Sequence, residues 1–145
     1  MKPLSYSDFC RPSSKKSSKY GNQPTEIELD GRIYRFRSKA EARYAAYLQW
    51  LKDTGNIKAW DYEFEYFGWT NQRGNKVQYC PDFRTLRDSE SDWEYWEVKG
   101  YLDARSKAKL KGFSKHFPYL KLTVIDSAWF KRNTKKLKGL VPGWV

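Results

Sequence analysis

Read for the spacing of hydrophobic and polar positions, the chain divides into short strands and helices. Residues 26–37, EIELDGRIYRFR, predict a hairpin, because Asp30-Gly31 is a type I′ turn signal between two β-forming arms. Ile27, Leu29, Tyr34 and Phe36 then share one face of the pair. Residues 38–53 predict a helix. Ser38 suits the N-cap and Glu41 falls at the third helical position, the spacing of a capping box. Tyr44, Tyr47, Leu48 and Leu51 recur at helical intervals, and Gly55 stands where a terminating glycine belongs.

Residues 57–69, IKAWDYEFEYFGW, alternate and predict one strand. Trp60, Tyr62, Phe64 and Tyr66 would point one way, and Asp61, Glu63 and Glu65 would form a solvated opposite face. A turn at 71–75 leads to a second strand over 76–84, which Pro81 must end or bulge because it has no N–H to donate. Residues 87–92 are a polar loop, and 93–100 predict another strand. A helix follows from Asp103 to about Phe117, closed by Pro118. Leu110, Phe113 and Phe117 face inward, and Lys107, Lys111 and Lys115 form an outward stripe. Residues 120–126 read as a buried strand, and Ser127 opens a short last helix. The order is hairpin, helix, three strands, helix, strand, helix: an α/β layout with a central mixed β-sheet flanked by helices.

The ends differ in composition. Residues 1–25 include the stretch RPSSKKSSKY and read as a flexible basic arm, since so few apolar groups cannot offset the entropy of ordering. Residues 26–132 hold the expected folded domain, and 133–145 read as a basic tail.

Charge narrows the function. With 28 Lys+Arg against 17 Asp+Glu, the chain carries +11, which points to a polyanionic partner, nucleic acid first. The single histidine and two cysteines without a CxxC spacing argue against a His/Cys zinc site. A metal here would need oxygen ligands, hence Mg²⁺ or Mn²⁺. No run of about 18 apolar residues is present, and no secretory signal is visible, so no membrane partner and a cytoplasmic location are expected.

Two stretches carry candidate chemistry: YCPDF at 79–83 and WEVKG at 96–100. Strand alternation puts Glu97 and Lys99 on one face and Val98 on the other. If the two strands pair, Asp82 and Glu97 converge. Two such carboxylates repel unless a cation lies between them. Lys99 beside them is placed to orient a water or to stabilise charge on a phosphoryl group. From spacing alone, ion pairing with Lys99 explains the two acids equally, and capping duty explains Glu41.

Together with FRSKAE at 36–41, these stretches resemble the PD-(D/E)xK nuclease superfamily, and within it the phage endonuclease I family of Holliday-junction resolvases. The similarity covers about residues 33–126; the leading hairpin, the last helix, the basic ends and the loop at 87–92 match less well. The resemblance implies a restriction-endonuclease-like core and a metal-dependent phosphodiesterase. It implies Asp82, Glu97 and the Val98 carbonyl as ligands of Mg²⁺ or Mn²⁺, Lys99 as the catalytic lysine, and Glu41 at a second metal or its water. It implies cleavage of branched DNA to 5′-phosphate and 3′-hydroxyl ends by a homodimer, with phage or host cytoplasm as the setting. Arg105, Lys107, Lys111 and Lys115 would contact phosphates. Two rival readings stand beside it: the endonuclease subunit of a heteromeric transposase, and a non-catalytic basic DNA-binding module whose acids are structural.

Overall fold

A computed structural model describes residues 23–88 and 92–145. Nearly all of the expected arm over 1–25, and residues 89–91 of the polar loop, lie outside the described residues. β1 (Thr25–Leu29) and β2 (Arg32–Phe36) form the predicted antiparallel hairpin, with Asp30 at φ 53° and Gly31 at φ 73°. Positive φ at both turn residues is what a type I′ turn requires. Helix α1 (Lys39–Asp53) follows. The Ser38 hydroxyl accepts from the Glu41 N–H at 3.1 Å, and Gly55 takes the left-handed conformation just beyond the helix.

The long strand expected over 57–69 is two strands, β3 (Ala59–Tyr62) and β4 (Phe67–Thr70). The strand expected over 76–84 likewise divides into β5 (Lys76–Tyr79) and β6 (Phe83–Leu86). The breaks lie opposite each other. Glu63 turns the chain at φ 48°, and its N–H donates to the Asp82 carbonyl at 2.8 Å. Pro81 interrupts the other chain, as its missing N–H demands. β3 and β6 therefore stay in the main sheet, while β4 and β5 swing away as a separate antiparallel ribbon. The expected solvated acidic face does not form either. Glu65 is buried, accepting from the Tyr95 hydroxyl at 2.9 Å and pairing with Arg84, whose guanidinium lies between the Phe64 and Trp93 rings.

β7 (Trp93–Val98) pairs antiparallel with β6. Helix α2 (Ala104–His116) then carries the chain to β8 (Leu122–Ile125), which pairs parallel with β7. The four-stranded sheet runs β3-β6-β7-β8 and is mixed, so the fold is mixed α/β, with three helices among the described residues. Side chains of β7 alternate between two cores. Val98 and Trp96 join Phe83, Phe36 and the buried face of α1. Tyr95 joins Phe67, Trp69, Tyr79, Phe113 and Phe117, where the ribbon meets α2. The last helix, α3 (Ser127–Leu137), extends beyond the boundary drawn at 132. Leu137 and Val141 are buried in the main core, so the basic run at 133–138 decorates a packed segment. Among the described residues, no helix is long and apolar enough to cross a membrane.

Ribbon and helix touch closely at Gly112. A Cβ there would lie 2.6 Å from Cζ2 of Trp69. Alanine has the better helix propensity by roughly 1 kcal/mol, but overpacking a fixed ring costs about 1–3 kcal/mol. Gly112→Ala is therefore expected to lower the thermal unfolding midpoint. A midpoint equal to or above the parent's contradicts this packing.

Candidate active site

The sheet register assembles the acids. Phe83 lies opposite Trp96, so extending the β6–β7 pairing by one residue sets Asp82 opposite Glu97. The expected convergence of these two side chains follows from that pairing. Asp82 is only 2% exposed. Its Oδ1 accepts from Arg37 Nη2 at 2.9 Å and its Oδ2 from the Val98 N–H at 2.8 Å, so the Val98 peptide lies directly beside it. Glu97 is buried too; its Oε1 accepts from the Tyr79 hydroxyl at 2.6 Å, and its Oε2 lies 3.8 Å from Lys99 Nζ. Lys99 remains partly exposed, on the same side as Glu97.

Glu41 comes from the first turn of α1 and is also buried. Only half of the expected capping box forms. The Glu41 carboxylate bypasses the Ser38 N–H; its Oε1 accepts from the Arg37 N–H at 3.2 Å and from the Tyr62 hydroxyl at 2.7 Å. It thus faces the sheet rather than the helix end. Arg37 is the residue that sequence reasoning missed. Its Nη2 reaches Glu63 at 2.8 Å as well as Asp82, and its Nε lies 3.6 Å from Glu41 Oε2. One guanidinium therefore bridges three carboxylates from separate segments. The FRS sequence ahead of Glu41 was its visible signal, but the pattern gave no reason to assign the arginine a partner.

Burial, then the charges of Glu97 and Glu41, push the Asp82 carboxyl well above the usual carboxylate range, against the pull of Arg37 and the Val98 N–H. Burial also raises Glu97, although the Tyr79 hydroxyl, Lys99 and Arg37 favour its charged form. Burial and then adjacent acids raise the hydroxyls of Tyr79 and Tyr62, which stay protonated donors. Among the described residues, no three His, Cys, Asp or Glu side chains are gathered closely enough to hold a metal ion outright. Asp82 and Glu97 are the pair whose chemistry suits a hard cation: oxygen donors only, buried and mutually repelling.

From this acidic end a groove of about 1340 Å³ runs between α2 and the β4–β5 ribbon. Arg105, Lys111 and Lys115 line it; Lys107 is exposed but outside it. Lys109, not singled out from the sequence, lines it instead and is half-buried. Burial, and then the nearby charges of Arg105 and Lys99, lower its pKa.

A carboxyl with a raised folded-state pKa keeps a proton that the unfolded chain has released. Its stability contribution is therefore lost as pH rises from the ordinary carboxylate range through the folded value. In chelator, the unfolding midpoint of the parent should fall more steeply over that interval than that of Glu97→Gln, which keeps an acceptor for Tyr79 but does not titrate. Parallel curves contradict the raised Glu97 carboxyl.

A family model described as "Protein of unknown function (DUF1064)" matches residues 17–135, a span that includes Arg37, Glu41, Asp82, Glu97, Lys99 and all of α2. No curated protein and no solved structure matches the chain. With most of its length covered, the chain belongs to the DUF1064 family.

Proposed function

We propose that this protein is a metal-dependent endonuclease acting on branched DNA, built on a restriction-endonuclease-like core. The observation that carries the reading is one juxtaposition. Asp82 and Glu97 line the end of a groove whose long wall is basic, with Lys99 beside Glu97 and with Glu41 joined to Asp82 through Arg37. A structural ion pair needs two charges. Arg37 pairs with Glu41, Glu63 and Asp82 at once while Glu97 is buried close to Asp82, an expensive arrangement unless a cation and a phosphate complete it.

In this reading Asp82 and Glu97 hold Mg²⁺ or Mn²⁺, with the Val98 carbonyl as a further oxygen ligand. The ion supplies Lewis-acid polarisation of the phosphate and a more acidic bound water. Lys99 orients the attacking water or stabilises negative charge building on the phosphoryl oxygens. Glu41, fixed by Tyr62, takes part at a second ion or its water. Arg37 is a positioning residue whose guanidinium contacts both the Asp82 and the Glu41 carboxylates. Water oxygen bonds to phosphorus, the bond from phosphorus to the 3′ oxygen breaks, and that oxygen takes up a proton. The products are 5′-phosphate and 3′-hydroxyl ends. A four-way junction is two-fold symmetric, and a homodimer is the device that presents two such sites to opposing strands.

The test is cleavage of a labelled four-way junction with Mg²⁺, with Mn²⁺ and with chelator. The parent protein should cut only with metal. Lys99→Ala and Glu97→Gln should each slow cleavage by about 10²–10³-fold while still binding the junction. Parent protein that binds but never cuts with either metal overturns the enzyme reading in favour of a binding module. Equal cutting of linear duplex removes branch selectivity and keeps the nuclease.

A further inference from the structure

The β4–β5 ribbon closes one side of the second core, and a ribbon with no more than that task needs apolar residues on one face only. This ribbon also carries a distinctive outer chemistry. Residues 67–79 contain no acid, and neither does α2 across the groove. Arg73 and Lys76 line the groove from the ribbon, accompanied by the amide side chains of Gln72 and Gln78. Opposite them stand Arg105, Lys109, Lys111 and Lys115 of α2. Among the described residues, no salt bridge engages any of these six cations. The acids of the groove, Asp82, Glu97 and Asp103, collect at its other end. The two long walls, the ribbon and α2, thus carry cations without acids, while Arg37 and Lys99 stand among the acids at the end.

The ribbon is also held in place before any ligand arrives. At its tip the Asn71 side chain accepts from the N–H groups of Arg73 at 3.0 Å and Asn75 at 2.9 Å, and Gly74 supplies the left-handed turn at φ 82°. Within β4 Trp69 lies against Gly112 and stacks on His116, with ring centroids 5.5 Å apart. The two walls therefore meet at Trp69. The 13 residues of α2 extend about 20 Å.

We propose that the β4–β5 ribbon is a second phosphate-binding wall: Arg73 and Lys76 grip the backbone of one DNA strand against α2 and feed it toward Asp82 and Glu97. The amides add hydrogen bonds to phosphate and sugar without reading sequence. A preformed clamp loses little entropy on binding. The inference deepens the nuclease reading and rests on it for the identity of the polyanion.

Binding is measured on the full chain in chelator, where no cutting occurs, using a fluorescein-labelled four-way junction between about 50 and 200 mM salt. Arg73→Gln/Lys76→Gln should reduce the slope of log affinity against log salt by about 2, and each single change by about 1. Both side chains are exposed, so unfolding midpoints should stay put. The control, Lys135→Gln/Lys136→Gln, removes the same charge from α3, outside the groove, and should leave the slope near the parent's. The proposal is overturned if the ribbon variants keep the parent slope, if the control loses as much, or if the parent does not bind DNA. Cutting is scored separately. Parent protein that cuts while the ribbon variants bind normally defeats the clamp alone. A ribbon-dependent slope in a protein that never cuts defeats the nuclease alone.

Discussion

The site depends on one guanidinium. Arg37 follows the leading hairpin and bridges Glu41 on α1, Glu63 in the break after β3 and Asp82 in the break before β6. Desolvation works against its charge, but the three carboxylates together hold it firmly protonated. Asp82 at 2% exposure needs such a partner, since a buried carboxylate stripped of its counter-charge costs several kcal/mol. The same contact ties the chain leaving β2 and the first turn of α1 to the end of the β3–β6 pair. It places Asp82 where the β6–β7 register sets it opposite Glu97.

The paired breaks do more than seat the acids. Had 57–69 and 76–84 formed one continuous hairpin, the main sheet would have extended past the acids. Because Glu63 and Pro81 interrupt both strands at one level, the outer half turns off as a ribbon and packs on α2 through Phe67, Trp69 and Phe113. A groove opens between them, with the acids at its end. The interruption is therefore the step that links backbone geometry to the proposed chemistry: it makes the acids accessible from one side while Phe83, Phe36 and α1 seal the other.

Much of this was legible in the sequence where the signal is local. The Asp30-Gly31 turn, the Ser38 cap, the Gly55 stop and the α2 helix rest on nearest-neighbour chemistry, and each matches. The pairing that brings Asp82 to Glu97 followed from strand alternation and one assumed neighbour. What was hidden is tertiary. Glu63 sits in an unbroken alternating pattern, so nothing in residue type signals its left-handed backbone. The partners of Arg37 are spread along the chain. Lys107 and Lys109 differ by two positions on a helix of uniform lysine spacing, and only the place of the ribbon decides that Lys109 faces the groove. At the end of α3 and just past it, the density of lysines masks Leu137 and Val141, two apolar positions that the main core takes in.

The central claim is that Asp82 and Glu97 form a divalent-cation site. Crystals soaked in Mn²⁺ and measured at the manganese edge test it most directly. The account predicts an anomalous peak bonded to carboxylate oxygens of both residues, at roughly the 2.0–2.2 Å of a hard-cation ligand, with Arg37 withdrawn from or sharing Asp82. Manganese found only elsewhere, with Asp82 still held by Arg37 and the Val98 N–H and Glu97 by Tyr79, would contradict it.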